Sequence, residues 1–285
     1  MAEALSLAAA LDWARQRIDA MEARVLLCHV AAVSHATLKG FGERTLAAPV
    51  WQRFEALVRR RAQGEPVAYL TGTREFYSRS FHVGCGVLIP RPETEGLVAA
   101  ALDLAAGREG LRVLDLGTGS GVVAVTLALE LGVRAAAVMA VDRSATALGY
   151  ATINAGRLGA RIAFRESDWY ARLAGLSFDL IVANPPYVAD ADPHLAHGDL
   201  RYEPIQALAS GGDGLDAIRI IVDGAGEHLR DGAALLLEHG YDQAPAVRRL
   251  MARAGFQGVR SLPDLAGIER ITLGRWLVDA AMGGS

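Results

Sequence analysis

The sequence predicts an α/β protein, a mostly parallel sheet with helices on both faces, preceded by a small helical domain. Three observations point there. From residue 93 onward, apolar runs of strand length alternate with stretches of helical periodicity, the pattern of parallel strands joined by crossover helices. The run 178–183 reads as a buried strand with a loop of special chemistry after it. Residues 3–63, by contrast, repeat only at helical spacing.

Within 3–63, Ala9, Leu11, Trp13, Ala14 and Ile18 form one helical stripe and Ala23, Leu26, Leu27 and Val30 a second, with Asp19 a candidate cap between them. A third helix is expected after Pro49, a residue favoured at the first helical position, through Trp51, Phe54, Leu57 and Val58. This domain holds no cluster of catalytic residue types, so positioning a substrate is its expected task. Gly64-Glu65-Pro66 then breaks the helix, and residues 64–92 read as a connector. In it, Glu75-Phe76-Tyr77 and Phe81-His82-Val83 flank Ser78-Arg79-Ser80 as a hairpin. The connector ends in the stiff run Pro90-Arg91-Pro92, before a helix over 93–106 that Glu93 or Thr94 would start. Spacing alone leaves open the bland reading of Arg91 and Glu95 as a surface ion pair.

The catalytic domain is expected over 93–285. Strands are predicted at 111–116, 134–141, 161–165, 178–183 and 233–238, with helices at 121–131, 145–158, 214–229 and 243–254. Two closing strands follow, near 258–262 and 268–274.

Composition removes several classes of function. No stretch approaches the roughly 18–20 apolar residues of a membrane span, and Met1-Ala2-Glu3-Ala4 lacks the basic start of a secretory signal, so a soluble cytoplasmic protein is expected. Cys28 and Cys85 are too few for a disulfide framework and lack metal-ligand spacing. The net charge of −3 gives the chain no electrostatic footprint for nucleic acid. Its one dense basic run, Arg59-Arg60-Arg61, lies where cations complement a helix dipole.

Two loops carry the chemistry. In Asp115-Leu116-Gly117-Thr118-Gly119-Ser120-Gly121, alternate glycines let the backbone approach a ligand at a helix N-terminus. Asp115 just before them would repel a pyrophosphate but pair with an ammonium, and Val122 stands where the dinucleotide fingerprint wants Gly or Ala. S-adenosylmethionine fits this loop better than a nicotinamide cofactor, because it is cationic and carries no phosphate. Asp142, at the end of the second strand, is placed to accept from both ribose hydroxyls; Asp168 and Trp169, after the third, are placed for the adenine amine and ring. The other loop is Asn184-Pro185-Pro186-Tyr187. The Asn184 amide oxygen and the Pro185 carbonyl are two acceptors for one planar –NH2 group, held stiff by the proline rings, and Tyr187 adds a flat face.

With these residues in view, positions 88–274 resemble a class I S-adenosylmethionine-dependent methyltransferase of Rossmann-like fold, of the branch that methylates amino groups. Pro90-Arg91-Pro92-Glu93-Thr94-Glu95, Arg201-Tyr202-Glu203-Pro204, Gly211-Gly212-Asp213-Gly214-Leu215 and the helical domain together resemble the HemK/PrmC family. The resemblance implies methylation of the glutamine amide nitrogen in the Gly-Gly-Gln loop of class 1 peptide-chain release factors, with S-adenosylhomocysteine as by-product, by a monomer that binds no nucleic acid directly. It implies that Gly117, Thr118, Gly119, Ser120, Gly121, Asp142, Trp169 and Asn184 line the cofactor site and that Asn184, Pro185, Pro186 and Tyr187 grip the glutamine. Residues 1–63 match the family in helical character alone. The family's paralogue that methylates a ribosomal protein differs at 91–95, which favours the release-factor reading. A methyltransferase for an exocyclic base amine and a catalytically silent cofactor-binding protein are the other readings, and the charge and the complete pair of loops weigh against them.

Overall fold

The computed structural model describes residues 5–278. Residues 3 and 4, where the first helical stretch was expected to start, and 279–285, the end of the expected catalytic domain, lie outside them. Contacts divide the chain into two units: one runs up to Thr73 and also takes Ala196–Tyr202, the other takes Arg74–Leu195 and the chain from Glu203 on.

The helical unit comprises α1 (Leu7–Arg15), α2 (Ala20–Ala31), α3 (His35–Gly40), α4 (Ala48–Ala62) and α5 (Val67–Thr71). Asp19 caps α2 by accepting from the N–H groups of Met21 and Glu22, and Pro49 sits in the first turn of α4, both as the sequence suggests. The helices α3 and α5 are additions, too short for a periodic signal to register. The unit extends past residue 63 because Leu70 of α5 joins Leu26, Leu27, Phe54 and Val58 in its core. Arg61 does more than complement a helix end: it pairs with Glu22 at 2.7 Å and with Asp199 at 2.9 Å. The Gln63 carbonyl accepts from the Tyr202 hydroxyl at 2.9 Å and from Arg201, so the short segment Ala196–Tyr202, distant in sequence, is fastened to the C-terminal end of α4.

The second unit begins with a hairpin of β1 (Thr73–Phe76) and β2 (Arg79–His82). Its turn is Tyr77-Ser78 rather than the three residues 78–80, and both residues take positive φ, +50° and +57°, as a two-residue hairpin turn requires. Then come α6 (Thr94–Leu104), β3 (Leu111–Leu116), α7 (Val122–Leu131), β4 (Ala135–Asp142), α8 (Ala145–Leu158), β5 (Ala163–Glu166) and β6 (Phe178–Ala183), followed after a long loop by α9 (Asp216–Ala225), β7 (Leu229–Glu238), α10 (Ala244–Arg253), β8 (Gln257–Pro263) and β9 (Glu269–Arg275). The helix expected to reach residue 229 stops at Ala225, where Gly226 follows, and β7 takes up the residues beyond.

These strands form one seven-stranded sheet in the order β5-β4-β3-β6-β7-β9-β8. The first five are parallel, while β9 runs antiparallel to both β7 and β8. Strand residues alternate between two apolar layers: Val113, Leu180 and Val182 face one, Leu114, Ile181 and Ala183 the other. The chain reverses its direction of travel across the sheet at β3, and such a switch opens a crevice at the carboxyl ends of the strands. No helix among the described residues is long and apolar enough to cross a membrane.

Candidate active site

A cavity of about 450 Å³ opens at the carboxyl ends of β3, β4, β5 and β6, and both sequence loops reach it. At its base lies Asp115, 1% exposed. Its carboxylate accepts from the Thr118 hydroxyl at 2.6 Å and the Ala124 N–H at 3.2 Å. Burial outweighs those bonds and pushes its pKa up to about 7, with the neighbouring Asp142 adding to the rise. Asp142 spans the glycine loop and the next helix: one carboxylate oxygen accepts from the Gly119 N–H at 2.9 Å, the other from the Ser144 N–H at 2.8 Å. Burial raises its pKa against these bonds.

Gly117 has φ +71°, and a Cβ there would lie 3.2 Å from the Trp169 ring, so glycine lets the indole rest on the loop backbone. Thr118, Gly119 and Ser120 line the cavity beside it, as do Asp168 and Trp169. Gly121 does not. It sits at the N-terminus of α7 with φ +84°, and a Cβ would meet Ala151 of α8 at 3.0 Å, so its missing side chain makes room for helix packing. Asn154, fully buried on α8, was not foreseen: its side chain donates to the Ser120 carbonyl at 2.9 Å and grips the backbone of His82, tying the glycine loop to the hairpin.

In the second loop, Asn184 and Pro186 line the cavity, whereas Pro185 and Tyr187 do not. Asn184 Nδ2 donates to the Thr94 hydroxyl oxygen at 3.0 Å, which leaves the amide oxygen as its free acceptor. Thr94 therefore serves the loop, and no side-chain cap bond starts α6. The Tyr187 ring packs against an apolar layer of the sheet, and its hydroxyl donates to Glu238 Oε1 at 3.3 Å. Burial, with the Glu238 charge beside it, pushes the Tyr187 pKa upward. Gln243 Nε2 holds the Tyr187 carbonyl at 2.9 Å and that of Asp213 at 3.2 Å.

The remaining motifs converge behind these loops. Arg91 pairs with Glu203, not with Glu95; Glu203 also accepts from the Ile89 N–H at 2.9 Å, and Glu95 accepts from the Tyr77 N–H at 2.7 Å. Gly214, with φ +74°, packs directly on the Tyr187 carbonyl. Glu238 was read only as the end of a strand. An acid at the carboxyl end of a strand, like Asp142, was the signal available for it.

A sheet of this order with an acid-flanked glycine loop and an Asn-Pro-Pro-Tyr loop at its switch point defines a class I methyltransferase. Residues 6–72 match the model of the PrmC N-terminal domain and residues 96–220 that of the methyltransferase small domain. A release factor glutamine methyltransferase from Burkholderia pseudomallei is 51% identical over 265 residues, covering 90% of this chain and 92% of its own. One from Xylella fastidiosa strain Temecula1 is 49% identical over 268 residues, covering 94% and 97%. The chain belongs to the release factor glutamine methyltransferase family. Among solved structures, the Thermus thermophilus 16S rRNA N2 G1207 methyltransferase, in complex with AdoMet and guanosine, shares the fold at a TM-score of 0.53 and 21% identity, covering 71% of this chain and 49% of its own.

Proposed function

We propose that this protein methylates the side-chain amide nitrogen of the glutamine in the Gly-Gly-Gln loop of class 1 peptide-chain release factors, using S-adenosylmethionine. The observation that carries the reading is the Asn184 amide, whose nitrogen is committed to Thr94 and whose oxygen is left as an acceptor at the cavity.

The cavity suits a cationic cofactor without phosphate. Asp115, Asp142 and Asp168 line it against one basic residue, Arg143. Asp115 would take the ammonium, Asp142 the ribose hydroxyls and Trp169 the adenine, with Gly117, Thr118, Gly119 and Ser120 forming the floor. When bound, S-adenosylmethionine supplies a methyl group on cationic sulfur; its transfer to nitrogen breaks the C–S bond, leaves the electron pair on sulfur and yields S-adenosylhomocysteine.

The residues of this chain have to make a poor nucleophile attack. An amide nitrogen shares its lone pair with the carbonyl. Accepting both amide hydrogens, one on Asn184 Oδ1 and the other on the backbone carbonyl of Pro185, which lies between the cavity-lining Asn184 and Pro186, fixes the nitrogen and favours the positive charge that develops on it. Once alkylated, that nitrogen releases one proton to solvent without a strong base. Pro186 stiffens the loop, and Tyr187 anchors it through Glu238. The protein acts as a cytoplasmic monomer on the release factor itself.

The test is transfer of labelled methyl from S-adenosylmethionine to a purified release factor, beside the same factor with its loop glutamine replaced and beside DNA and RNA. Label on the intact factor that vanishes with the replacement supports the reading. Label on nucleic acid alone overturns it.

A further inference from the structure

One face of α8 carries contacts that the reaction as described leaves unused. Asn154, fully buried there, spends its side-chain amide on the backbone of two stretches distant in sequence. Its Oδ1 accepts from the His82 N–H at 2.7 Å, and its Nδ2 donates to the His82 carbonyl at 3.0 Å and to the Ser120 carbonyl at 2.9 Å. Toward His82 the amide does what a neighbouring strand would do, matching one N–H and one C=O. Its second hydrogen goes to the glycine loop. Both stretches are cavity wall: Ser120 itself, and Gly86, Val87 and Leu88 a few residues beyond His82. They meet at Val87, whose Cγ2 would lie 3.9 Å from a Cβ at Gly119. The same helix sets how closely each stretch approaches. A Cβ at Gly84 would run into the Tyr150 hydroxyl, one at Gly86 would meet Thr146 Cγ2 at 3.1 Å, and one at Gly121 meets Ala151. Thr146, Tyr150, Ala151 and Asn154 share one face of α8.

We propose that Asn154 is a positioning residue that fixes the spacing of these two stretches, and with it the affinity of the cavity for S-adenosylmethionine. The amide is required by its hydrogens. An aliphatic side chain would strand three backbone groups, and a hydroxyl has one hydrogen for two carbonyls. Released from Asn154, the Ser120 carbonyl and the end of the hairpin no longer hold a common register, and the glycine loop shifts under the ligand. The inference rests on the reading of the cavity as the cofactor site, and extends it to a residue that does not line that cavity.

The experiment compares full-length Asn154→Leu and Asn154→Asp with the unaltered protein by calorimetric titration with S-adenosylmethionine, by melting curves, and by NMR hydrogen exchange of the His82 amide. Leucine keeps the bulk and removes all three bonds. Aspartate keeps an acceptor for the His82 N–H but, even protonated, supplies one hydrogen for two carbonyls. Both folded variants should bind the cofactor about 10–10²-fold more weakly than the parent. In the unaltered protein the cofactor should slow exchange at the His82 N–H by about tenfold, because swinging the Asn154 amide away from His82 also breaks its bond to the loop on which the cofactor rests. In Asn154→Asp that response should vanish. A role in stability alone would lower the melting temperature and leave the Kd of the folded variants at the parental value, and that result overturns the proposal. So does His82 exchange that ignores the cofactor in the unaltered protein, a measurement that serves if neither variant folds. An unaltered protein that binds no S-adenosylmethionine shows instead that the reading of the cavity is wrong, and takes the inference with it.

Discussion

Replacing Gly214 with alanine would test whether the segment after the active-site loop sets its position. A Cβ at 214 would lie 2.3 Å from the Tyr187 carbonyl oxygen and 2.8 Å from Gln243 Nε2. The glutamine end can swing away, but the carbonyl belongs to the Asn184–Tyr187 backbone. Ordinary contact begins near 3.5 Å, so the loop must retreat by roughly 1 Å. Holding alanine at positive φ costs about 1–2 kcal/mol besides. A displacement of about 1 Å at the reacting groups lowers a rate by about 10²-fold, or about 2.7 kcal/mol. Steady-state methyl transfer to a release factor, with calorimetric titration of S-adenosylmethionine and a melting curve, separates the effects. The expected variant is folded, loses about 10²-fold in kcat, and binds cofactor within about tenfold of the parent, because Gly117–Ser120 and Asp142 lie at the ends of other strands, β3 and β4. A Gly214→Ala protein with parental kcat would refute the reasoning.

Asn184→Ala is expected to lose about 2–4 kcal/mol of transition-state stabilisation, read as kcat/KM; near-parental efficiency would remove Asn184 from the mechanism. Arg91→Met strands the Glu203 side chain, whose exposure is 0%, and should destabilise the protein by about 3–5 kcal/mol in urea unfolding, whereas replacing both partners with methionine should cost less. The pH dependence of stability has a definite sign: Asp115 and Glu238, raised to about 7, hold protons between pH 4 and 7 that the unfolded chain has released. Their contribution is therefore fully present below the unfolded values and is lost as pH rises through 7. At about 1.4 kcal/mol per pH unit for each group, Asp115→Asn should flatten the fall of unfolding free energy between pH 4 and 7, and an unchanged slope would show that Asp115 is not the titrating group.

The sequence made the catalytic sheet legible because each strand and helix carried its own period, and strands 111–116 and 178–183 appear with the expected bounds. The glycine loop and Asp142 were legible for a related reason: their meaning depends on position at the end of a strand. What stayed hidden depends on partners distant in the chain. Thr94 looks like a cap at the start of a helix, and nothing local reveals that its oxygen meets Asn184, 90 residues away. Arg91 has Glu93 and Glu95 beside it in sequence, yet its partner is Glu203, 112 residues away. Gly121 belongs to a loop whose other glycines face the cavity, and only the neighbouring helix shows that its missing side chain makes room for Ala151. The helices α3 and α5 fell below the length at which periodicity can be counted.

The fastening of residues 196–202 to α4 also has a consequence during synthesis. Most of the helical unit is built from neighbours in sequence, and such units fold quickly as the chain emerges. Arg61, however, waits for Asp199, 138 residues later, and the Gln63 carbonyl waits for Tyr202, 139 residues later. The helical core therefore forms on the ribosome with its last clasp open, and that clasp closes only after the strands bearing both reactive loops have been made. Completion of the first domain to be synthesised is thereby timed to the second.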